Sequence, residues 1–189
     1  MVVMSKVLLN IGCADVDKPG YINVDARKTK VTHLVSNAWD LDCFEENSVH
    51  EIYSRHMLEH LNPEYAKLAL QKWFYILEPE GKLVVIVPDI EFHARQLLGV
   101  SRSSFGDQME HAFAGFWGWR EKERGGSDFD AHQWGYTVAT LENEIGAVGF
   151  ERIERVVEGV DSEPWHLQMT ARKPMTSLCC PMDFRGPFP

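Results

Sequence analysis

VLLNIGCADVDKPGYINVD, residues Val7–Asp25, is the stretch on which the reading of this chain turns. An apolar run, Val7, Leu8, Leu9 and Ile11, meets a glycine at Gly12. A turn cluster follows, with Asp15, Asp17, Pro19 and Gly20. A second run, Tyr21–Val24, ends in the carboxylate Asp25. Strand, glycine turn, strand and terminal acid is the layout of a nucleotide site at the edge of a parallel sheet. Gly12 has no Cβ and lets a ligand approach the backbone, and a carboxylate at Asp25 can accept hydrogen bonds from both hydroxyls of a ribose. Cys13 and Ala14 follow Gly12, so one glycine of a G-x-G-x-x-G pattern is present. By itself the stretch also reads as an ordinary strand end and turn.

Outward from this stretch, strand-like runs recur at 6–11, 21–24, 32–36, 51–54, 82–87, 150–157 and 166–172. The run 82–87 is nearly continuous Leu, Val and Ile, as expected of a strand covered on both faces. A helix is expected over 63–77, where Ala66, Ala69, Leu70, Trp73, Phe74 and Leu77 share one face. Asn62 is its N-cap, Pro63 suits its first position, and Pro79 and Gly81 stop it. Further helices are expected over 89–98 and 137–148. Strands alternating with helices predict an α/β fold, a Rossmann-like, doubly wound, mostly parallel sheet. The last two runs leave no room for a helix between them and predict an antiparallel edge hairpin. The connector 13–20 has eight residues, where a parallel crossover usually needs about ten to twelve. The first helix is therefore expected to be reduced or absent.

The chain of 189 residues fits one domain, 1–172, followed by a tail, 173–189, with four prolines and no periodicity. Its net charge of −9 and lack of a basic run disfavour nucleic acid as a partner. No apolar run is long enough to span a membrane. Cys13, Cys43, Cys179 and Cys180 show neither metal spacing nor a disulfide framework, which points to a cytoplasmic location.

Three motifs carry a resemblance: LNIGCADVDKPGYINVD, SVHEIYSRHMLEHL and WFYILEPEGKLVVIVPD. In this order and spacing they resemble the class I S-adenosylmethionine (SAM)-dependent methyltransferases. Within these the chain looks most like the methyltransferase-type-11-like group associated with polysaccharide biosynthesis. The third motif resembles W-x-x-L-x-P-G-G-x-L…P-D, with Glu80 at the first glycine. The segment 125–150 resembles that group's substrate side, and the match covers about residues 6–172. The resemblance implies a seven-stranded sheet and SAM as cofactor. It implies that Gly12, Cys13 and Ala14 line the methionine and ribose side and that Asp25 holds the ribose. Asn37 and Ala38 would lie at the adenine; Ser54, Arg55 and His56 would face the methyl donor. Ala14 stands where the family usually has glycine, and Asn37 where it usually has Asp. The implied reaction is methyl transfer to a small-molecule or saccharide acceptor, at oxygen.

An oxygen acceptor needs a base, and histidine suits it. His56, at a strand end, and His132, before the last helix, are the catalytic candidates; His60 reads as structural, bonded to backbone. Phe113, Phe116, Trp117, Trp119, Phe129, Trp134 and Tyr136 crowd a glycine-broken stretch that reads equally as an acceptor wall or as core. Asp89 reads as a helix cap. Residues 56–60 also spell H-x-x-E-H, a zinc-hydrolase pattern. The surrounding sheet argues against that pattern, and no metal is expected. Ser54-Arg55-His56-Met57 lacks the Asn/Asp-Pro-Pro-aromatic run of nucleic-acid amine methyltransferases. The rival to an enzyme is a non-catalytic nucleotide- or partner-binding protein on the same fold.

Overall fold

The computed structural model describes residues 6–120 and 127–175. Seven strands form one sheet: β1 (Leu8–Ile11), β2 (Ile22–Asp25), β3 (Leu34–Val35), β4 (Val49–Arg55), β5 (Leu77–Pro88), β6 (Glu151–Val156) and β7 (His166–Arg172). Their order is β3-β2-β1-β4-β5-β7-β6. The first five pair in parallel. β7 runs antiparallel to both β5 and β6, which makes the edge hairpin expected from the sequence. The chain order reverses between β1 and β4, so the crevice beyond the ends of these two strands is where a doubly wound sheet binds its ligand.

No helix joins β1 to β2. The short crossover is held by buried amides instead. Asn10 Nδ2 donates to Asn23 Oδ1 at 2.9 Å, and Asn23 Nδ2 donates to Asp17 Oδ1 at 2.7 Å. Asn10 and Asn23 lie on adjacent strands in register and are both buried. Each satisfies the other and ties down the loop that a helix would otherwise pack.

Helix α1 (Pro63–Ile76) is capped by Asn62, whose side chain accepts from the Tyr65 N–H. Its buried face is Ala66, Ala69, Leu70, Trp73 and Ile76. Leu77, expected as its last residue, already pairs with Val49 in β5. β5 thus begins five residues earlier than the apolar run, with Glu80 in the left-handed region (φ 65°) at the position of the motif's first glycine. Helix α2 (Ile90–Leu97) is capped by Asp89, which accepts from Glu91 N and Phe92 N. A helix that the sequence reading did not anticipate, α3 (Gln108–Trp117), follows, capped by Asp107. Helix α4 (Val138–Val148) starts on a Thr137–Thr140 capping box and stops at left-handed Gly149.

The core packs α1, α4 and the sheet around Trp73, Leu70, Ile52, Leu83, Val85 and Leu141. Among the aromatic residues of 113–136, Tyr136 is fully buried core, while Phe113, Trp117, Phe129 and Trp134 are exposed. Lys173, at the start of the expected tail, is buried and donates through Nζ to Asn47 Oδ1 at 2.7 Å. Cys179, Cys180 and the rest of 176–189 lie outside the described residues, as do Gly125 and Gly126. Among the described residues, no helix is long and apolar enough to cross a membrane.

α3 meets α2 at Gly115, where a Cβ would come within 2.4 Å of the His93 ring. Gly115→Ala should therefore cost about 1–3 kcal/mol of stability in a urea melt. An unchanged midpoint would show that the two helices are not locked at this point.

Candidate functional site

Two cavities open at the switch point. The first, of about 440 Å³, is lined by Gly12, Ala14, Asp25, Asn37, Ala38 and His56 of the expected cofactor residues. Arg27, Ser36, Trp39, Met57, His60, Phe129 and Asp130 also face it. Asp25 ends β2 and clasps both loops that frame the cavity. Its Oδ2 accepts from Ala14 N at 2.8 Å and its Oδ1 from Arg27 N at 2.9 Å. A carboxylate has about four acceptor positions, so capacity remains on both oxygens for a ligand. On the far side, Trp73 Nε1 donates to Ala38 O at 2.9 Å and fixes the loop after β3. Trp39 beside it stacks on Tyr65, with ring centres 4.3 Å apart.

Three residues expected at the cofactor are not in this lining, and one of them, Arg55, lines the second cavity instead. Cys13 is buried, with Sγ 3.8 Å from Thr32 Oγ1. Ser54 is buried in β4, and its hydroxyl has no hydrogen-bond partner. Gly12 lines the cavity, and the packing of the protein itself also requires a glycine there. Its φ is 75°, and a Cβ there would lie 2.2 Å from Met57 Cγ, so a side chain of the protein fills the space. Ala14 occupies the left-handed region at φ 45°, the conformation for which glycine is usual.

The second cavity, of about 410 Å³, adjoins the first through His56, His60 and Asp130. Its walls include Phe105, Trp119 and Trp165, and six imidazoles: His56, His60, His93, His111, His132 and His166. His93, His111 and His166 escaped the sequence reading. His93 and His111 sit on α2 and α3, each with Nδ1 3.2 Å from Gln96 Oε1. A shared carbonyl acceptor requires each to carry its proton on Nδ1. His93 is held down to about 4, chiefly by burial. Burial likewise lowers His111.

At the junction of the cavities lies a buried relay. His56 follows β4 directly, with φ 48°, a left-handed conformation that is strained for a side-chain-bearing residue. Its Nδ1 lies 3.2 Å from Glu59 Oε1 and its Nε2 3.0 Å from His166 Nδ1. Burial pushes the Glu59 carboxyl up. The hydrogen bond from His56 and the nearby imidazoles His60 and His132 outweigh that and hold it below the usual range. An ionised Glu59 only accepts, so His56 donates from Nδ1 and accepts at Nε2 from His166 Nδ1–H. The nitrogen left over is His166 Nε2, 3.8 Å from Glu163. His166 is held down to about 4, by burial first and by His56 and Arg55 next.

The H-x-x-E-H pattern does not form a helical metal pair. His56 belongs to the strand end, and Leu58–His60 is a single 3-10 turn before α1. His60 bonds backbone, its Nδ1 3.1 Å from Ala131 O, and its ring meets His132 edge-on with centres 5.0 Å apart. His132 in turn has Nδ1 3.0 Å from Gly115 O.

Two stability effects follow from this geometry. Ala14→Gly should relieve the left-handed strain and raise stability by roughly 0.5–1 kcal/mol in chemical denaturation; a loss would show that the methyl packs usefully. His93 has a folded-state value below its unfolded one, so protonation favours unfolding. Its contribution is full above about pH 6.5 and is lost as the pH falls towards 4, on the order of 3 kcal/mol. His93→Gln should flatten the fall of the melting temperature across that window. An unaltered slope in the variant would contradict the assignment.

No protein-family model matches the sequence, and no curated protein matches it significantly. Solved structures do match in shape. A SAM-dependent methyltransferase from Archaeoglobus fulgidus superposes with a TM-score of 0.60 at 14% identity, over 89% of this chain and 86% of that one. One from Methanosarcina mazei gives 0.57 at 16% identity, over 92% and 95%. The Burkholderia thailandensis 1,6-didemethyltoxoflavin-N1-methyltransferase, solved with its acceptor and S-adenosylhomocysteine, gives 0.56 at 16% identity, over 89% and 71%. The chain has the fold of the class I SAM-dependent methyltransferases.

Proposed function

We propose that this protein transfers a methyl group from SAM to a hydroxyl of a small, hydroxyl-rich acceptor, a saccharide being the favoured class. The observation that carries the reading is the meeting of two cavities at His56 and His60, beyond the carboxyl ends of β1 and β4. The first cavity is of a size that takes a nucleoside-type ligand. Asp25 receives the ribose hydroxyls on the lone pairs its backbone contacts leave over. Asn37 and Ala38 border the adenine, with Asn37 accepting from its exocyclic amine. Gly12 and Ala14 border the methionine end. Cys13 and Ser54 support this wall from beneath.

Bound SAM would supply an electrophilic methyl on a sulfonium, already a good leaving group. The protein's task is alignment, worth up to ~7–11 kcal/mol of the barrier, and removal of the acceptor's proton. As the acceptor oxygen bonds to the methyl carbon, the carbon–sulfur bond breaks. The hydroxyl proton passes to His166 Nε2, and His166 Nδ1–H moves towards His56 Nε2. Glu59 stabilises the charge on His56. His56 thus acts within the relay, and His132 faces the acceptor. Aromatic walls and neutral imidazoles suit a sugar, with its apolar faces and donor hydroxyls.

Calorimetric titration with SAM and S-adenosylhomocysteine tests the cofactor. Micromolar binding is expected, and Asp25→Ala should weaken it by about 1.5–3 kcal/mol. Unchanged affinity in that variant, or no binding at millimolar ligand, would refute the reading. His166→Gln should lower kcat with a hydroxylated acceptor and leave SAM affinity intact. Binding with no turnover on any hydroxylated acceptor would point to the non-catalytic alternative.

A further inference from the structure

Glu59 Oε2 is buried and has no hydrogen-bond partner. A carboxylate oxygen in that condition costs free energy unless something positive answers it. Two imidazoles lie close to this carboxylate. Glu59, His60 and His132 each present one ligand-type atom, and these lie within 4.8 Å of one another.

The tautomers make the arrangement specific. His60 Nδ1 lies 3.1 Å from Ala131 O, and His132 Nδ1 lies 3.0 Å from Gly115 O. A carbonyl only accepts, so each imidazole carries hydrogen on Nδ1, and in its neutral form it leaves a lone pair on Nε2. Glu59 Oε1 is already taken by His56. With both imidazoles neutral, each of the three residues keeps a lone pair to offer a cation. An imidazole whose second nitrogen donates to a backbone carbonyl is the usual setting of a metal-bound histidine. The ligands are also held in place from behind. Glu59 O accepts from Gln133 N at 2.8 Å and Trp134 N at 3.1 Å, which docks the His132 segment onto the turn carrying Glu59 and His60.

We propose that Glu59, His60 and His132 form a three-ligand site for a first-row divalent transition metal, with Zn2+ as its cation. Two imidazoles and one carboxylate match Zn2+ and disfavour Mg2+ and Ca2+, which require oxygen-rich shells. Three protein ligands leave a coordination position open. His60 lines both cavities and His132 the second, so that position faces the acceptor's space. There the metal would bind and acidify an acceptor hydroxyl. This is a different trio, with a different geometry, from the helical pair that H-x-x-E-H describes. The other cluster of possible ligands among the described residues is Asp161, Glu163 and His166. It lacks these features, because Asp161 is paired with Arg55 and Glu163 is exposed.

The test uses the full chain, stripped of metal, and requires no methyl transfer. Its outcome is therefore separable from that of the proposed activity. Co2+ titration followed by visible absorption should show one equivalent entering a four- or five-coordinate nitrogen–oxygen site, displaced by Zn2+ and not by excess Mg2+. Loss of a hydrogen bond that only orients a metal ligand typically weakens a metal site about 10–100-fold. His132→Ala and His60→Ala should each weaken binding by at least about a hundredfold, while Glu163→Gln leaves it unchanged. Circular dichroism checks the fold of each variant; should His60→Ala not fold, His132→Ala carries the test. The proposal is overturned by a Co2+ spectrum no different from the aqueous ion, by undiminished affinity in His132→Ala, or by loss of binding in Glu163→Gln.

Discussion

The buried carboxylate of Glu59 is the constraint around which the site is built. A charge that far from water must be met by hydrogen bonds or by a cation. Meeting it fixes three separate parts of the chain. One oxygen orients His56 after β4, and the carboxylate lies in a cluster with His60 and His132. The backbone carbonyl of the same residue receives Gln133 and Trp134. The loop that walls both cavities is thereby attached to the turn that follows the central parallel strand. Without Glu59 the two cavities would lose their shared wall. A buried ionised group of this kind adds little net stability; what it contributes here is a unique arrangement of imidazoles.

The first cavity depends on a second economy. A doubly wound sheet normally packs a helix between its first two strands and takes a ligand at that helix's N-terminus. This chain has a ten-residue connection, 12–21, where the helix would be. The Asn10–Asn23–Asp17 network replaces its packing, and the Asp25 carboxylate binds the backbone amides of Ala14 and Arg27 directly. Ala14 and His56 both carry positive φ at the rim of this cavity. Strained residues persist where the surroundings over-determine them, and here both lie where the sheet's strands deliver their ends to the crevice.

The fold was legible because its signals are local. Apolar runs, the Asn62 cap, the short 13–20 connector and the missing room between the last two strands each pointed to a structural fact. α3 was not legible because its pattern is inverted. Its buried positions are His111, Ala112, Ala114 and Gly115, whereas Met109, Phe113 and Trp117 face outward. A hydrophobic-face search sees only the wrong side of such a helix. In the site, Gly12, Asp25, Asn37 and His56 could be named from strand ends. His166, His93 and His111 could not, because each is brought in by a distant element whose packing no spacing encodes. The H-x-x-E-H spelling was visible, but its meaning depended on backbone angles: a left-handed residue at His56 separates the two histidines that a helix would have joined.

The electrostatics of the second cavity bear on what it can hold. Burial lowers His93, His111, His132 and His166 alike, and neighbouring imidazoles further discourage His93, His132 and His166 from charging. Among the described residues that line it, Arg55 is the one permanent cation, and it is already engaged by Asp161 through two hydrogen bonds near 3 Å. Asp130 is satisfied by Ser127. Among the described residues, a phosphorylated acceptor entering here would find no free cationic side chain, and only the proposed metal would answer its charge. A neutral, hydroxylated molecule would find bare imidazole nitrogens to donate to and indole faces to lie against. Under the proposed activity, the same histidines would favour the acceptor whose oxygen most needs a base.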